Sequence, residues 1–249
     1  MSEMPTPEPT QLGQLRRERL LGSRLYVCTD LQRFLRPSPA DGDQRGDSAE
    51  MESVDQLDLE ALRQFYVAAF TGGVDIIQVR DKQVSVQVEI AALTLLKQVA
   101  DEHGGLSAAN DRADVALITG VDVFHVGQDD LSTEQARAIL GDDVVIGRSC
   151  RTLHQVREAV EDIGIDYYCT GPVWETPTKP GRAAVGLELP AQAASLESTK
   201  PFFAIGGIDA GNLAQVTEAG AERIVVVRAV AHAEDPQAAA RQLREQLPA

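Results

Sequence analysis

Short β-rich runs alternate with helical stretches along most of the chain, and this alternation constrains the fold more than any other feature. We count eight such runs, at 25–28, 74–80, 106–109, 123–126, 144–147, 166–169, 202–205 and 224–227. Helical periodicity separates them, as in the stretch Val86–His103. Eight β/α units are typical of a closed barrel, whereas an open doubly wound sheet, the alternative, rarely needs eight evenly spaced units. We therefore predict an α/β fold, a single (β/α)8 TIM barrel.

Two segments fall outside the alternation. Residues 1–22 are polar and become helical near 11–21, so we predict an N-terminal extension followed by one catalytic barrel domain over 23–249. Residues 36–56 are rich in proline, glycine and acids, and their low hydrophobicity is typical of disorder. We interpret 36–56 as a disordered insertion within the barrel rather than as a domain boundary.

Composition limits the partners and the compartment. A net charge of −15 disfavours nucleic acid and anionic membranes as general partners, because both need basic surface. No apolar run approaches the roughly 18 residues of a membrane span, and no signal peptide is visible. Cys28, Cys150 and Cys169 lack metal-like spacing and are odd in number, which favours reduced buried thiols. We expect a cytoplasmic protein whose partners are small molecules.

Two aspartates follow neighbouring runs of the predicted barrel. Asp111 comes directly after the third run, and Asp130 lies beyond the fourth. Parallel strands end at the same edge, so these carboxylates should lie side by side where barrels place their chemistry. A carboxylate pair of this kind suits Mg²⁺, which takes one or two carboxylates and keeps water and phosphate as its other ligands. The alternative is that both aspartates are N-caps of the following helices.

The other predicted strand ends would surround the same pocket. Arg80, Lys82 and Lys179 gather cationic charge there in an otherwise acidic protein, and such charge beside a metal-binding carboxylate pair is what a diphosphate needs. The predicted pocket residues are Gln78, Arg80, Lys82, Asn110, Asp111, Gln128, Asp130, Ser149, Thr176, Thr178, Lys179, Gly206, Gly207, Val227 and Arg228.

A second phosphate site is predicted after the seventh and eighth runs. Gly206 and Gly207 would let backbone N–H groups approach an anion at the location where barrels bind phosphate. The alternative is a simple turn at the start of a helix. Residues 176–181 form a hydroxyl-rich loop that is long enough to act as a lid, although its composition alone favours an ordinary surface loop.

Five motifs in this order resemble the thiamine-phosphate synthase family, over roughly residues 24–247. They are Gln-Val-Arg-Asp-Lys at 78–82, Asn-Asp-Arg at 110–112, His-Val-Gly-Gln-Asp-Asp at 125–130, Gly-Pro-Val at 171–173 with Thr-Pro-Thr-Lys at 176–179, and Ile-Gly-Gly-Ile at 205–208. The family joins an aminomethylpyrimidine diphosphate to a thiazole phosphate, forming thiamine phosphate and diphosphate.

The resemblance implies a role for each matching position. Asp111 and Asp130 match the Mg²⁺ ligands. The pyrimidine diphosphate would contact Gln78, Arg80, Lys82, Asn110, Ser149 and Lys179, and the thiazole phosphate would contact Thr176, Pro177, Thr178, Gly207, Val227 and Arg228. The catalytic set is then Arg80, Lys82, Lys179 and Ser149. These cations and Mg²⁺ would stabilise departing diphosphate, and the thiazole nitrogen would attack the pyrimidinylmethyl cation without a protein nucleophile.

Departures from the family pattern leave two alternatives. Arg151 replaces a histidine expected shortly after the fifth strand, and Arg228 replaces a small hydroxyl residue; Arg228 could also point outward. One alternative is a thiazole tautomerase of the same superfamily, and the other is a non-catalytic phosphate-binding barrel. The retained lysines and aspartates favour the synthase. His125 is expected to be a buried, hydrogen-bonded histidine rather than a catalyst. Small barrels of this kind often self-associate, so a homo-oligomer is also an expectation.

Overall fold

Eight parallel strands close into a barrel in chain order, so the predicted TIM barrel is confirmed. The computed structural model describes residues 9–36, 53–176 and 183–248. Every strand pairs with the next, and β1 pairs with β8 through the register Leu25↔Ile224. The strands are β1 (Leu25–Thr29), β2 (Ile76–Val79), β3 (Leu106–Asn110), β4 (Val123–Val126), β5 (Val145–Cys150), β6 (Tyr167–Thr170), β7 (Phe202–Ile205) and β8 (Ile224–Val226).

Helices follow the strands and cover the outside of the barrel. Their bounds are α1 (Gln11–Gly22), α2 (Leu59–Thr71), α3 (Val86–His103), α4 (Ala113–Thr119), α5 (Thr133–Leu140), α6 (Leu153–Glu161), α7 (Glu188–Ala194), α8 (Leu213–Glu218), α9 (Arg228–Ala231) and α10 (Pro236–Gln246). Short 3-10 helices occupy Gln32–Phe34 and Val54–Gln56. The sequence pattern predicted the longer helices, but it did not predict α9 as a separate helix directly after β8.

The core has two layers because successive strand residues point to opposite faces. Outward residues such as Ile77 and Phe124 pack against the helices together with Leu62 and Leu96. Inward residues fill the barrel itself, which is therefore a packed interior rather than a pore. This inner layer includes Tyr26, Ile76, Leu106, Val123, Tyr167, Phe203 and Val225. It forms the floor beneath the carboxyl ends of the strands.

Helix α1 is attached to the strands by ion pairs. Arg16 is buried, and its Nε donates to Asp122 Oδ1 at 2.9 Å. Arg17 Nε donates to Asp166 Oδ1 at 2.7 Å. Asp122 also accepts bonds from the backbone N–H and the hydroxyl of Ser107. The extension predicted for 1–22 is thus helical from Gln11 onward, as expected, and is held to residues beside β3, β4 and β6; residues 1–8 lie outside the described residues.

Most of the insertion predicted for 36–56 lies outside the described residues, which omit 37–52. Its two ends are held together, because Arg36 N–H donates to Gln56 O at 2.7 Å and Leu35 pairs with Leu57 in an antiparallel bridge. Disorder was the wrong prediction for the last residues of this segment. Val54–Gln56 is a 3-10 helix in which the Gln56 side chain accepts from the backbone N–H of Ser53 at 2.7 Å.

We predict that Arg16→Leu lowers the free energy of unfolding by about 3 kcal/mol, because it leaves the buried Asp122 carboxylate without its arginine. Urea unfolding of the variant measures this loss. Arg63→Leu is the matched control, because Arg63 pairs with Glu102 at the exposed surface and should cost under about 1 kcal/mol. Equal losses in the two variants would contradict a special role for the buried pair.

Candidate active site

A cavity of about 770 Å³ opens at the carboxyl ends of the strands. It collects most of the residues predicted from the strand ends: Gln78, Arg80, Lys82, Asn110, Ser149, Thr176, Gly207, Val227 and Arg228 line it. Pro177, Thr178 and Lys179 lie outside the described residues. The structure therefore brings the described members of the predicted substrate-binding set together in one place.

Arg80 is suited to an anionic ligand. It follows β2, where its backbone N–H donates to Thr29 O at 2.8 Å and fixes the start of the loop. Its guanidinium Nε is buried and has no hydrogen-bond partner among the described residues. A buried donor without an acceptor is costly, and arginine matches the oxygens of phosphate groups especially well. A phosphate oxygen in the cavity would supply the acceptor that Arg80 lacks.

Asp111 and Asp130 are neighbours, as their positions after β3 and β4 predicted. Burial raises the pKa of Asp111, and the hydrogen-bond contact and negative charge of Asp130 raise it further, whereas Lys82 opposes the shift. Lys82 Nζ lies 2.5 Å from Asp111 Oδ2. Asp130 Oδ2 also accepts from the backbone N–H of Gly127 at 2.7 Å. Two adjacent carboxylates repel each other unless a cation lies near them, and Lys82 supplies one positive charge at Asp111.

The alternative that these aspartates are helix N-caps is wrong. Arg112 occupies the N-cap position of α4, without a capping side chain, and Ser132 caps α5 with Gln135 as its partner. Asp111 instead adopts a left-handed backbone conformation with φ of 58°, which aspartate tolerates better than most residues. Both carboxylates are therefore available for another task.

The carboxylate pair fits a magnesium ion. Mg²⁺ needs only one or two protein carboxylates when phosphate and water provide the rest. Among the described residues, no group of three or more His, Cys, Asp or Glu side chains could hold a metal ion by itself. A site at Asp111 and Asp130 would thus depend on ligand oxygens as well as on the protein.

Glu89 in α3 is a further buried carboxyl close to this pair. Burial raises the pKa of Glu89 to about 7; the charge of Arg112 opposes this, and the charges of Asp111, Asp114 and Asp81 add to it. Folding therefore favours protonated Glu89. The unfolded chain loses this proton near the ordinary pKa of glutamate, so this contribution to stability falls as the pH rises from about 4.5 to about 7.

Glu89→Gln should consequently raise the free energy of unfolding at pH 8 by on the order of 2 kcal/mol and leave it unchanged at pH 4. Chemical denaturation at the two pH values measures the difference. Glu158→Gln, at an exposed position in α6, is the control and should show no such pH dependence. A gain that is the same at both pH values would contradict the raised pKa of Glu89.

Gly206 and Gly207 pack closely against the segment after β6. Both have positive φ, 108° and 69°, which side chains rarely adopt. A Cβ on Gly206 would lie 2.5 Å from Pro172, and one on Gly207 would lie 2.8 Å from Trp174. Val173 and Trp174 donate backbone bonds to Ile205 O and Gly206 O at 2.9 and 3.1 Å. Close packing thus requires glycine here, and the lining position of Gly207 also leaves its backbone accessible to a ligand.

We predict that Gly206→Ala lowers the free energy of unfolding by at least about 2 kcal/mol, because the new Cβ meets backbone and the conformation is strained. Thermal and urea unfolding measure the change. Gly22→Ala, at the open end of α1, is the control and should be neutral or stabilising. Equal stability of the Gly206→Ala variant and the wild type would show that the segment at Pro172 moves freely.

Several lining residues were missed by the sequence pattern. Tyr26 and His232 line the cavity, and so do the departures Arg151 and Arg228. His232 follows α9, and a short extra helix after β8 is common in barrels that bind phosphate. That rule could have located His232. The inward alternation of β1 could have located Tyr26.

His125 is buried and hydrogen bonded, as predicted. Its Nδ1 lies 3.0 Å from the hydroxyl of Tyr167, and its Nε2 lies 2.8 Å from Ser149 Oγ. His125 also lines the cavity, so it connects the barrel interior to a residue predicted to contact substrate.

A cationic cavity at the mouth of a closed barrel, with a carboxylate pair beside it, defines an enzyme for phosphorylated small molecules. Residues 53–230 match the family model described as thiamine monophosphate synthase. Thiamine-phosphate synthase of Thermobifida fusca is 48% identical over 231 residues, covering 93% of this chain and 95% of that protein. The counterpart from Streptomyces avermitilis is 47% identical over 231 residues, covering 93% and 96%. The chain belongs to the thiamine monophosphate synthase family and is a transferase.

A solved structure supports the same assignment. Thiamine phosphate pyrophosphorylase from Pyrococcus furiosus superimposes with a TM-score of 0.71 at 30% identity, covering 92% of this chain and 96% of that one. In the part of the chain that the structure describes, no helix is both long enough and apolar enough to span a membrane.

Proposed function

We propose that this protein condenses 4-amino-2-methyl-5-pyrimidinylmethyl diphosphate with thiazole phosphate, giving thiamine phosphate and diphosphate. The observation that carries the proposal is that Arg80 and Lys82 line the cavity and that Lys82 also contacts Asp111, which neighbours Asp130. A diphosphate is the ligand whose charge these groups balance together. Family membership supplies the reaction.

The first substrate would bind with its diphosphate toward the cations. In the part of the chain that the structure describes, the Nε of Arg80 has no acceptor, and Lys82 contacts Asp111. Gln78, Asn110 and Ser149 would contact the pyrimidine ring, and Lys179 would close on the diphosphate. Asp111 and Asp130 would hold Mg²⁺, whose chemistry is to neutralise negative charge on the diphosphate oxygens.

Bond breaking would precede bond making. The carbon–oxygen bond of the pyrimidinylmethyl group breaks, and diphosphate departs with the electron pair. Arg80 and Lys82 stabilise the charge that develops on this leaving group. The thiazole nitrogen then donates its lone pair to the pyrimidinylmethyl cation and forms the new carbon–nitrogen bond. The side chains bind and orient the reactants, and none needs to act as a nucleophile or a general base.

The second substrate would occupy the side of the cavity nearer β7 and β8. Thr176, Pro177, Thr178, Gly207, Val227 and Arg228 are its proposed contacts. Of these, the described residues all line the cavity, and Arg151 adds another cation there. Lys82 and the neighbouring Asp111 and Asp130 are retained, which favours the synthase over the tautomerase.

We place this reaction in the cytoplasm, in a protein that self-associates. Support for the compartment comes from the three cysteines, which are buried and form no disulfide bond among the described residues. Support for self-association comes only from the habit of small barrels, and sedimentation velocity tests it directly.

We predict that the purified protein forms thiamine phosphate from both substrates with Mg²⁺, and that EDTA abolishes the product. Asp111→Asn should lower kcat/KM by about 100-fold or more, because one of two proposed metal ligands is lost. Asp114→Asn is the matched control: Asp114 lies three residues further on, exposed and paired with Arg112, and the variant should stay within about 3-fold of wild type.

The outcomes separate the parts of the proposal. Folded wild-type protein that forms no product would overturn the synthase function. Product that survives both EDTA and Asp111→Asn would retain the reaction and overturn the metal site. Equal losses in the Asp111 and Asp114 variants would show a general electrostatic effect instead of ligation.

A further inference from the structure

A chain of hydrogen bonds crosses the barrel interior beneath the cavity. Gln78 Nε2 donates to the Tyr26 hydroxyl at 2.9 Å, and that hydroxyl lies 3.3 Å from the hydroxyl of Tyr167. The Tyr167 hydroxyl lies 3.0 Å from His125 Nδ1, and His125 Nε2 lies 2.8 Å from Ser149 Oγ. This series of hydrogen bonds therefore joins two proposed substrate contacts, Gln78 on β2 and Ser149 on β5.

Counting donors and acceptors shows which group donates in each of these hydrogen bonds. Gln78 Oε1 accepts from the Cys28 thiol at 3.2 Å, which orients the amide so that its Nε2 faces Tyr26. Among the described residues, the Tyr26 hydroxyl bonds only to Gln78 and Tyr167. Since Gln78 is the donor in its bond to Tyr26, the Tyr26 hydroxyl must donate its own hydrogen to the Tyr167 hydroxyl.

The remaining bonds are then determined. Tyr167 donates its single hydrogen to His125 Nδ1, so neutral His125 carries its proton on Nε2 and donates it to Ser149 Oγ. Burial raises the pKa of both Tyr26 and Tyr167 well above the usual range, so both hydroxyls keep their hydrogens. The reverse direction would leave the buried hydrogen of Tyr26 without an acceptor, which is costly.

We propose that Tyr167 and His125 are positioning residues that fix the Ser149 hydroxyl as a hydrogen-bond donor to the first substrate. Because Ser149 already accepts from His125, its own hydrogen is directed to the cavity that it lines. The site then selects a ring with a hydrogen-bond acceptor, such as an unprotonated ring nitrogen, at this point. This inference rests on the proposed function, and it gives a positioning role to Tyr167 and His125, which are outside the proposed catalytic set.

The test is a double-mutant cycle of Tyr167→Phe and Ser149→Ala, read as kcat and KM for the pyrimidine diphosphate. Tyr167→Phe should lower kcat/KM by about 10-fold in the wild-type background, because His125 loses the bond that fixes its tautomer. In the Ser149→Ala background the same change should cost less than about 2-fold. Tyr66→Phe is the matched control, because Tyr66 is a buried tyrosine outside the cavity whose hydroxyl has no hydrogen-bond partner among the described residues, and it should leave kcat/KM unchanged.

His125 supplies an independent arm. His125→Gln keeps an acceptor for Tyr167 and a donor for Ser149, so it should retain more activity than His125→Leu by about 10-fold. Should Tyr167→Phe fail to fold, the comparison of His125→Gln with His125→Leu, made with and without Ser149→Ala, tests the positioning role by itself.

Each contrary result is informative. Losses from Tyr167→Phe that are the same with and without Ser149, or equal activity of the two His125 variants, would overturn the positioning role while leaving the synthase function intact. Wild-type protein that makes no thiamine phosphate would overturn the function and this inference together.

Discussion

Closure of the sheet by pairing of β1 with β8 is the constraint on which the rest of the structure depends. Eight parallel strands in one ring must all end at the same rim, so residues distant in sequence meet there. Arg80 and Ser149 share a cavity for this reason, and Asp111 meets Asp130 for the same reason. The ring also gives the inward residues a common interior. Successive hydrogen bonds there join Tyr26 of β1 to Tyr167 of β6 and Tyr167 to His125 of β4.

Two features of the rim favour a charged ligand. Asp111 has a raised pKa because burial and Asp130 both disfavour its charge, and the Nε of Arg80 is buried without an acceptor among the described residues. Such features reduce stability, and the packed layers of the barrel must compensate for them. An anion bound together with a divalent cation would relieve both defects at once. Ligand binding should then stabilise the fold as well as prepare the chemistry.

The sequence predicted those features that depend on local periodicity and strand order. Alternation predicted that Gln78 in β2 faces the pocket, and parallel connectivity predicted that the two aspartates lie together. Arg80 and Lys82 lie beyond the end of β2 at Val79, so strand alternation does not place them. The link between Tyr26 and Tyr167 was not predictable in this way, because it joins β1 to β6 across the interior and depends on the register of the closed ring. The short helix α9 was missed since four residues carry too little periodicity.

The acidity of the chain and the cationic rim are compatible because they act over different distances. Charges on the outer surface are screened within about 8–10 Å at physiological salt, so a net charge of −15 weakly affects a ligand already in the cavity. Arg80, Arg151 and Arg228 line the cavity, so a ligand inside it lies within the screening length of their charges. Asp30, Asp81 and Asp209 line it too, so the cavity presents separate positive and negative groups rather than uniform positive charge. Direct contacts from the arginines, and not the net charge of the protein, therefore favour a phosphorylated ligand.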